Sequence, residues 1–397
     1  MNHQQKRPPV SSVTKIVLLL GANVTLMAGS GLSVAMPAMM MAFASVPGAE
    51  FWVSMIITLP ALFVVVGGPI TGFFTDRFGR KPVLVFSILL GAVSGSAGYF
   101  LNNLIVILIS RALVGLSIAG SATATNALIA DYFTGQQRAK FMGLQSAFTG
   151  IFATVFLLVG GILADINWQY TFLPHVILFL LFPLALVYIE EPEAVLSQEE
   201  ESTKSQLKLT STIIFIFAAI FICQLTFMTV PIFIAYFMTN LLGAGAIEVG
   251  FVGAASGLFS FLAGILYERI ARRLGFKEIT FAGFLVFGAG FLVLGLAGNW
   301  PLIIIGQLIV GFGSGLNVAN LANWLANKVS IEVRGRANGI FVAMLFLGQF
   351  MASFVFTPIA NLRSYNFVYI LSAIIISLMG LLALLIKNNP VSEQVDP

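Results

Sequence analysis

Arg111 is the one basic residue that falls inside a long apolar stretch of this chain; the other Lys and Arg residues sit between such stretches. A guanidinium at that depth is costly in hydrocarbon, so its presence points to a task. It suits binding an anionic group or tuning a proton carrier. The plainer use is structural, with carbonyls and hydroxyls such as those of Ser30 or Ser33 satisfying it. Thr125 and Asn126 share its side of a helical wheel. A second constellation lies at 317–327, where Asn317, Asn320, Asn323 and Asn327 fall on an arc of about 120° if the segment is helical, with Trp324 beside them. Amides facing lipid are expensive, so this arc faces protein or a cavity. Asn23, Ser30, Gln145, Ser146, Thr149, Gln224, Thr229 and Gln349 add hydrogen-bonding groups in other apolar runs. Taken singly, each serves equally as glue between helices. Taken together they predict a neutral, hydrogen-bonding cavity, with Arg111, Asn126, Gln145, Gln224, Asn317, Asn320, Asn323 and Trp324 as its candidate lining. His175 is suited to carrying a proton, although a packed histidine is the plainer reading. No Asp or Glu falls near the middle of an apolar run. A cation in a dry cavity would lack an anion to pair with.

These residues need elements that hold them inside a membrane. Apolar residues make up 58% of the 397 and charged residues 9%, with a mean hydropathy of +0.99. A soluble domain carries roughly 25% charged residues to wet its surface, so this composition excludes one. The charges cluster between apolar runs of membrane-crossing length. The runs predict twelve spans at 14–41, 51–74, 82–100, 104–131, 139–163, 170–190, 209–239, 247–267, 277–297, 301–327, 337–360 and 366–387. The first run is too long for a cleaved signal peptide, and the single Cys223, inside the seventh, gives no disulfide framework. Prolines at 37, 69, 183, 231 and 358 mark sites where helices bend.

With the N-terminus placed in the cytoplasm, 18 of the 20 Lys and Arg residues lie on the inner side, Arg363 lies outside and Arg111 lies within a span. That asymmetry predicts both termini cytoplasmic in a multi-pass protein of the plasma membrane. The net charge of +4 then reflects topology and not a nucleic-acid partner. The expected division is a tail at 1–13, a six-helix bundle at 14–190, a cytoplasmic linker at 191–208, a second bundle at 209–387 and a tail at 388–397.

The two halves repeat. Gly72-Phe-Phe-Thr-Asp76-Arg77-Phe-Gly79-Arg80-Lys81 returns as Gly264-Ile-Leu-Tyr-Glu268-Arg269-Ile-Ala-Arg272-Arg273, an offset of 192. Arg111-Ala-Leu-Val-Gly115 returns as Gln307-Leu-Ile-Val-Gly311, and Arg138-Ala-Lys140 as Arg334-Gly-Arg336, each at 196. Parallel six-helix repeats are how one class of secondary transporter builds a central site between bundles.

The Gly72-x-x-x-Asp76-Arg77-x-Gly79-Arg80-Lys81 loop, with its degenerate second copy, resembles the loop signature of the major facilitator superfamily, and Arg111-x-x-x-Gly115 resembles that family's fourth-helix motif. The likeness spans about 14–387. It implies an all-α fold of two pseudo-symmetric six-helix bundles, a cavity lined by the first, fourth, seventh and tenth helices, and a cytoplasmic gate at Gly72, Asp76, Arg77, Gly79, Arg80, Lys81 and Asp131. The physical reading of that loop is consistent with a gate. Gly72 permits close helix approach, Asp76 can cap a neighbouring helix, and Arg80 can pair with Asp131. Exporters of the family carry Gly-Pro in the fifth helix ahead of a Gly-Gly pair; here Gly160-Gly161 is present and Phe156-Leu157 stands at the earlier positions.

The resulting expectation is a secondary transporter working by alternating access, exporting small amphipathic neutral or anionic compounds in exchange for protons, as a monomer. Its partners are a small-molecule substrate, protons and the lipid bilayer. Uptake or facilitated diffusion of a polar solute such as a sugar or organic anion, or transport of a lipid-like substrate, is the alternative. No metal, cofactor or enzymatic chemistry is expected. There is no P-loop, and no convergent nucleophile or acid–base pair.

Overall fold

The computed structural model describes residues 10–192, 207–330 and 332–386. The tails, most of the 191–208 linker and the side chains of Ser30 and Ser146 lie outside the described set. Every element among the described residues is helical. In order they are α1 (Ser12–Ala22), α2 (Val24–Ser33), α3 (Met36–Ala42), α4 (Ala49–Phe78), α5 (Arg80–Ala97), α6 (Leu104–Tyr132) and α7 (Gly135–Ile166). A 3₁₀ turn (Trp168–Val176) leads into α8 (Ile177–Tyr188). The rest are α9 (Ser211–Phe227), α10 (Thr229–Leu242), α11 (Ala246–Ala271), α12 (Phe276–Gly295), α13 (Trp300–Lys328), α14 (Arg334–Leu362) and α15 (Tyr365–Leu385). Among the described residues, eleven helical segments are long and apolar enough to cross a membrane, counting the 3₁₀ turn with α8 (Trp168–Tyr188) and α9 with α10 (Ser211–Leu242) as one each, and the bent α1–α2 pair makes a twelfth span. In lipid the backbone must satisfy itself, which is why the spans are helices.

The first span, read from the sequence as continuous from 14 to 41, is broken instead. It bends by 48° at Asn23, whose side-chain Nδ2 donates to the Leu19 carbonyl at 2.7 Å. That bond competes with the helical ladder. A second break precedes Pro37 at the start of α3, where proline has no N–H to continue the ladder. The seventh span breaks at Met228. Thr226 and Thr229 return hydroxyl bonds to Ile222, Cys223 and Thr226 carbonyls, and Pro231 leaves the Phe227 carbonyl unpaired in the ladder. Several helices outrun their apolar segments: α4 reaches Phe78 and α11 reaches Ala271. Hydropathy marks the depth of the hydrocarbon, whereas a helix continues through a charged turn at the interface.

The described residues divide into two compact units. One holds the first half together with Pro231–Ala254; the other holds the stretch up to Val230 and everything from Ala255 onward. Within the first unit α6 packs on α4 and α5; within the second α12 packs on α13 and α15, and α9 on α14. Glycines permit these approaches at matching places. A side chain at Gly115 would collide with the Pro60 carbonyl oxygen, and one at Gly311 with that of Ser256. Both pairs are related by the offset of 196, so the repeat read from sequence recurs in the helix contacts.

Candidate functional site

The loop signature is built around the N-terminus of α5. Gly79 has φ +95°, a conformation glycine adopts at little cost. The next two amides, of Arg80 and Lys81, donate to the Glu191 carboxylate, each at 2.7 Å. A carboxylate on a helix N-terminus is favoured by the free N–H groups and the macrodipole. A Cβ on Gly79 would lie 2.6 Å from Glu191 Oε1, so the glycine also makes room for the cap. Glu191 is itself held in place: Tyr132 Oη donates to the Glu190 carbonyl at 2.6 Å and accepts from the Glu190 amide at 3.0 Å. Thr14 of α1 donates to the Tyr188 carbonyl at 3.0 Å. The segment expected to be a solvated linker therefore begins as a docked one.

Arg80 Nε lies 3.2 Å from Asp131 Oδ2, with both side chains under a third exposed. This is the pairing read from the sequence. Arg77 lies beside the rings of Phe73 and Phe78, about 6 Å from each centroid. One expectation, close packing at Gly72, is corrected. A side chain at Gly72 would meet open space, and close packing falls instead at Gly67, against Leu116 and Ala119. Asp76 is exposed and makes no ion pair among the described residues; the N-terminus of α5 is capped by Glu191. No pattern marked Glu191, because the cap joins residues 110 and 111 positions apart. In the degenerate second copy Glu268 accepts from Arg272 at 2.6 Å and raises that guanidinium above its ordinary range.

Arg111 is wholly buried, and its Nε donates to the Ile56 carbonyl of α4 at 3.1 Å. It lies close enough to His175 for the two to interact electrostatically. His175 is also wholly buried, packed on Gly95 of α5, with Nδ1 3.2 Å from the Phe172 carbonyl. Arg111 therefore stands between helices of its own unit. Thr125 is buried against Gly21, while Asn126, the next residue, is exposed. Gln145 is half-buried on α7, and Thr149 one turn on bonds both the Gln145 carbonyl and Asn23 Oδ1.

In the second unit the amides of α13 divide. Asn317 and Asn320 are wholly buried. Asn317 donates to the Gly313 carbonyl and faces Gly283 of α12. Asn320 donates to the Phe276 carbonyl and Thr280 Oγ1, each at 2.8 Å, and accepts from Tyr267 Oη at 3.2 Å. It thereby ties α11, α12 and α13 together. Trp324 is buried and stacked on Phe276. Asn323 and Asn327 are open and line a cavity of about 440 Å³ with Tyr267, Gly275 and Phe276. Asn327 stands, at the offset of 196, where the first half has Asp131, and Phe276 opens α12 as Arg80 opens α5, while the loop counterpart of Arg80, Arg272, pairs with Glu268. The second copy thus lacks the acidic partner at the end of α13 and pairs its loop arginine within the loop instead. Gln349 Nε2 donates to Gln224 Oε1 at 3.0 Å, joining α14 to α9. Gln307, the counterpart of Arg111, is wholly buried and neither amide atom has a partner among the described residues.

Gly160 and Gly161 form a seam inside the first unit. A side chain at Gly160 would strike the Gly31 backbone, and one at Gly161 would come 2.9 Å from the Ala246 carbonyl. At the departure from the exporter pattern, the Leu157 carbonyl and side chain lie against Gly250 and Gly253, so the small residues stand on the partner helix. Asp165 Oδ1 accepts from the Ala246 amide at 2.9 Å, and Tyr236 Oη donates to the Met36 carbonyl at 3.0 Å.

The Major Facilitator Superfamily model matches residues 18–234 and 215–397. The chain is 24% identical to a class H tetracycline resistance protein of Pasteurella multocida, over 89% of this chain and 90% of that one. It is 25% identical to a bacillibactin exporter of Bacillus subtilis, over 89% and 91%. In fold it is similar to a crystal structure of a D-xylose-proton symporter, with a TM-score of 0.76, 17% identity and coverage of 94% and 95%. Because the family match runs across both six-span copies and not one of them, the chain as a whole belongs to the Major Facilitator Superfamily of membrane transporters.

Proposed function

We propose that the protein exports small amphipathic molecules, neutral or anionic, in exchange for protons, by alternating access of its two bundles. It does so in the plasma membrane with both termini in the cytoplasm. The observation that carries this reading is the seam at Gly160-Gly161. Backbone packed on backbone, with the Ala246 amide donating to Asp165 and Tyr236 donating to the Met36 carbonyl, is a contact that separates and re-forms with few side chains to move. The outward direction is supported by full-length similarity to a tetracycline resistance protein and a bacillibactin exporter. The preference against cations follows from Arg111 being the lone ionised group at depth, with the acidic residues at span ends.

In this reading Asn126, Gln145, Gln224 and Asn323 contact substrate. Asn317, Asn320 and Trp324 shape the wall behind them. Gly72, Asp76, Arg77, Gly79, Arg80, Lys81 and Asp131 form the cytoplasmic gate, with Glu191 as its brace. The Gln224–Gln349 amide pair favours a second reading, uptake of a hydrogen-bonding polar solute. Flux of neutral, anionic and cationic fluorescent amphipaths in liposomes, with and without a pH gradient and repeated with Arg111→Ala, tests the proposal. Gradient-driven movement of neutral and anionic compounds, with anionic binding weakened in the variant, is expected. Flux indifferent to the gradient overturns proton exchange, and selective cation binding overturns the cavity argument.

A further inference from the structure

A cavity of about 760 Å³ lies in the first unit between α4 and α6, beneath the turn that follows α3. Its mouth carries Ser45, Asn102 and Asn103, and its walls are Trp52, Met55, Leu59, Phe63, Leu108 and Ala112, among other apolar residues. No Lys, Arg, Asp or Glu lines it. Its rim residues Trp52, Ile105 and Ile109 are 43%, 69% and 57% exposed, so the cavity opens on a surface that, in a membrane-spanning protein, meets lipid. Along α6 it runs from Leu104 to Ala112, about 12 Å at 1.5 Å per residue. That is close to the roughly 15 Å hydrocarbon depth of one leaflet. Polar groups sit only at loop level, at the start of α6, where Asn103 accepts from the Ile105 and Val106 amides. Asn102 accepts from Gln169 at 2.9 Å. The shape is an apolar slot one leaflet deep with an uncharged polar lip.

We propose that this groove is a lipid site: it holds one acyl chain of a bilayer lipid, with an uncharged or zwitterionic headgroup at Ser45 and Asn102, in the leaflet on the side of the 43–48 turn. Charge matching selects the occupant's head, since an anionic headgroup finds no cation in the lining. Continuity with the lipid-exposed rim gives the chain its route in. The inner end at Ala112 adjoins Arg111, whose hydrogen bond to the Ile56 carbonyl fixes α6 to α4. A bound chain therefore packs against the joint that holds the buried cation. The inference needs only that the protein spans a bilayer and is independent of the transport direction proposed above.

Trp52 in the wall makes the site readable, because bromine on an acyl chain quenches nearby indole fluorescence. Purified protein in detergent is titrated with brominated phosphatidylcholine, alongside Trp52→Phe to isolate the Trp52 contribution. Ala112→Phe fills the floor, and Leu258→Phe, on an exposed face of α11, serves as control. Saturable quenching of the Trp52 component near one lipid per protein is expected, weakened about tenfold by Ala112→Phe and unchanged by Leu258→Phe. The thermal unfolding of the whole protein, followed by far-ultraviolet circular dichroism, shows whether Ala112→Phe is folded; if it is not, Leu59→Phe takes its place. Quenching that rises without saturation, or that ignores a folded groove-filling variant, means Trp52 sees only bulk lipid and overturns the site. Tighter binding of brominated phosphatidylglycerol overturns the uncharged-head assignment. Displacement of bound lipid by a water-soluble neutral amphipath at lower concentration overturns the lipid as occupant.

Discussion

Removing the Glu191 carboxylate should loosen the first half by an amount that the local geometry sets. Its two bonds to the Arg80 and Lys81 amides, each 2.7 Å, are charge-assisted and cap the 18-residue helix α5. Loss of an N-cap costs about 0.5–2 kcal/mol. The bonds are exposed, so screening places the expected loss near the middle of that range, about 1 kcal/mol. For a cooperative unit of roughly 200 residues, that corresponds to a fall of about 2–4 °C in Tm. The chain supplies its own reporter: Cys223 is the single cysteine and is wholly buried. It belongs to the second unit, so a thiol-reactive fluorophore follows unfolding of that unit on heating through Cys223, and of the first unit through a cysteine placed at the wholly buried Ala92 of α5 in a Cys223→Ala background. Glu191→Ala should lower the midpoint by the full amount, and Glu191→Gln, which keeps one acceptor oxygen without the charge, by about half. Gly79→Ala should cost more alone than beside Glu191→Ala, since part of its penalty is the added methyl displacing the carboxylate. An unchanged midpoint in Glu191→Ala, or strict additivity in the double variant, would refute the cap.

Three further outcomes follow from the same contacts. Asp131→Asn breaks a partly exposed ion pair of 3.2 Å, worth about 0.2–1 kcal/mol; transport should fall well beyond this small stability loss, and transport tracking stability alone would leave the pair without a gating role. Asn320→Leu strands the Tyr267 hydroxyl and the acceptors on Phe276 and Thr280, and should destabilise the second half by about 1–3 kcal/mol in the same Cys223 assay; a midpoint within 1 °C of the parent would contradict it. Gly160→Leu cannot coexist with the Gly31 contact. A cysteine placed at Gly31 beside it should become readily labelled by a membrane-impermeant thiol reagent while transport is lost, whereas an unlabelled position with normal flux would rule out a moving seam.

Much of the architecture was legible in the chain itself. The spans and their number follow from apolar runs, because the cost of burying charge in hydrocarbon is paid residue by residue and can be summed along a sequence. The repeat was legible too, since Gly115 and Gly311 must both be small where a helix carbonyl meets them. The Arg80–Asp131 pair was readable because both residues sit at span ends on one side. What escaped depends on which atoms meet across the fold. Asn23 breaks its helix because its amide turns back on Leu19, a choice that a tally of apolar residues does not see.

The same limit governs the site. Helical spacing placed four amides on one arc of α13. Only the packing of α11 and α12 consumed Asn317 and Asn320 in contacts between helices and left Asn323 and Asn327 open. Depth in an apolar run likewise marked Arg111 as exceptional, while the Ile56 carbonyl that accepts its hydrogen bond comes from another helix. Glu191 looked like one charge in an acidic linker until the fold brought it to the bare amides of α5. By itself the sequence determined which segments enter the membrane, how many there are and that they form two copies, because partition between water and lipid is a local property. The tertiary structure decided which polar groups are spent on holding helices together and which remain for a ligand, because a hydrogen bond needs its partner within about 3 Å whatever the separation along the chain.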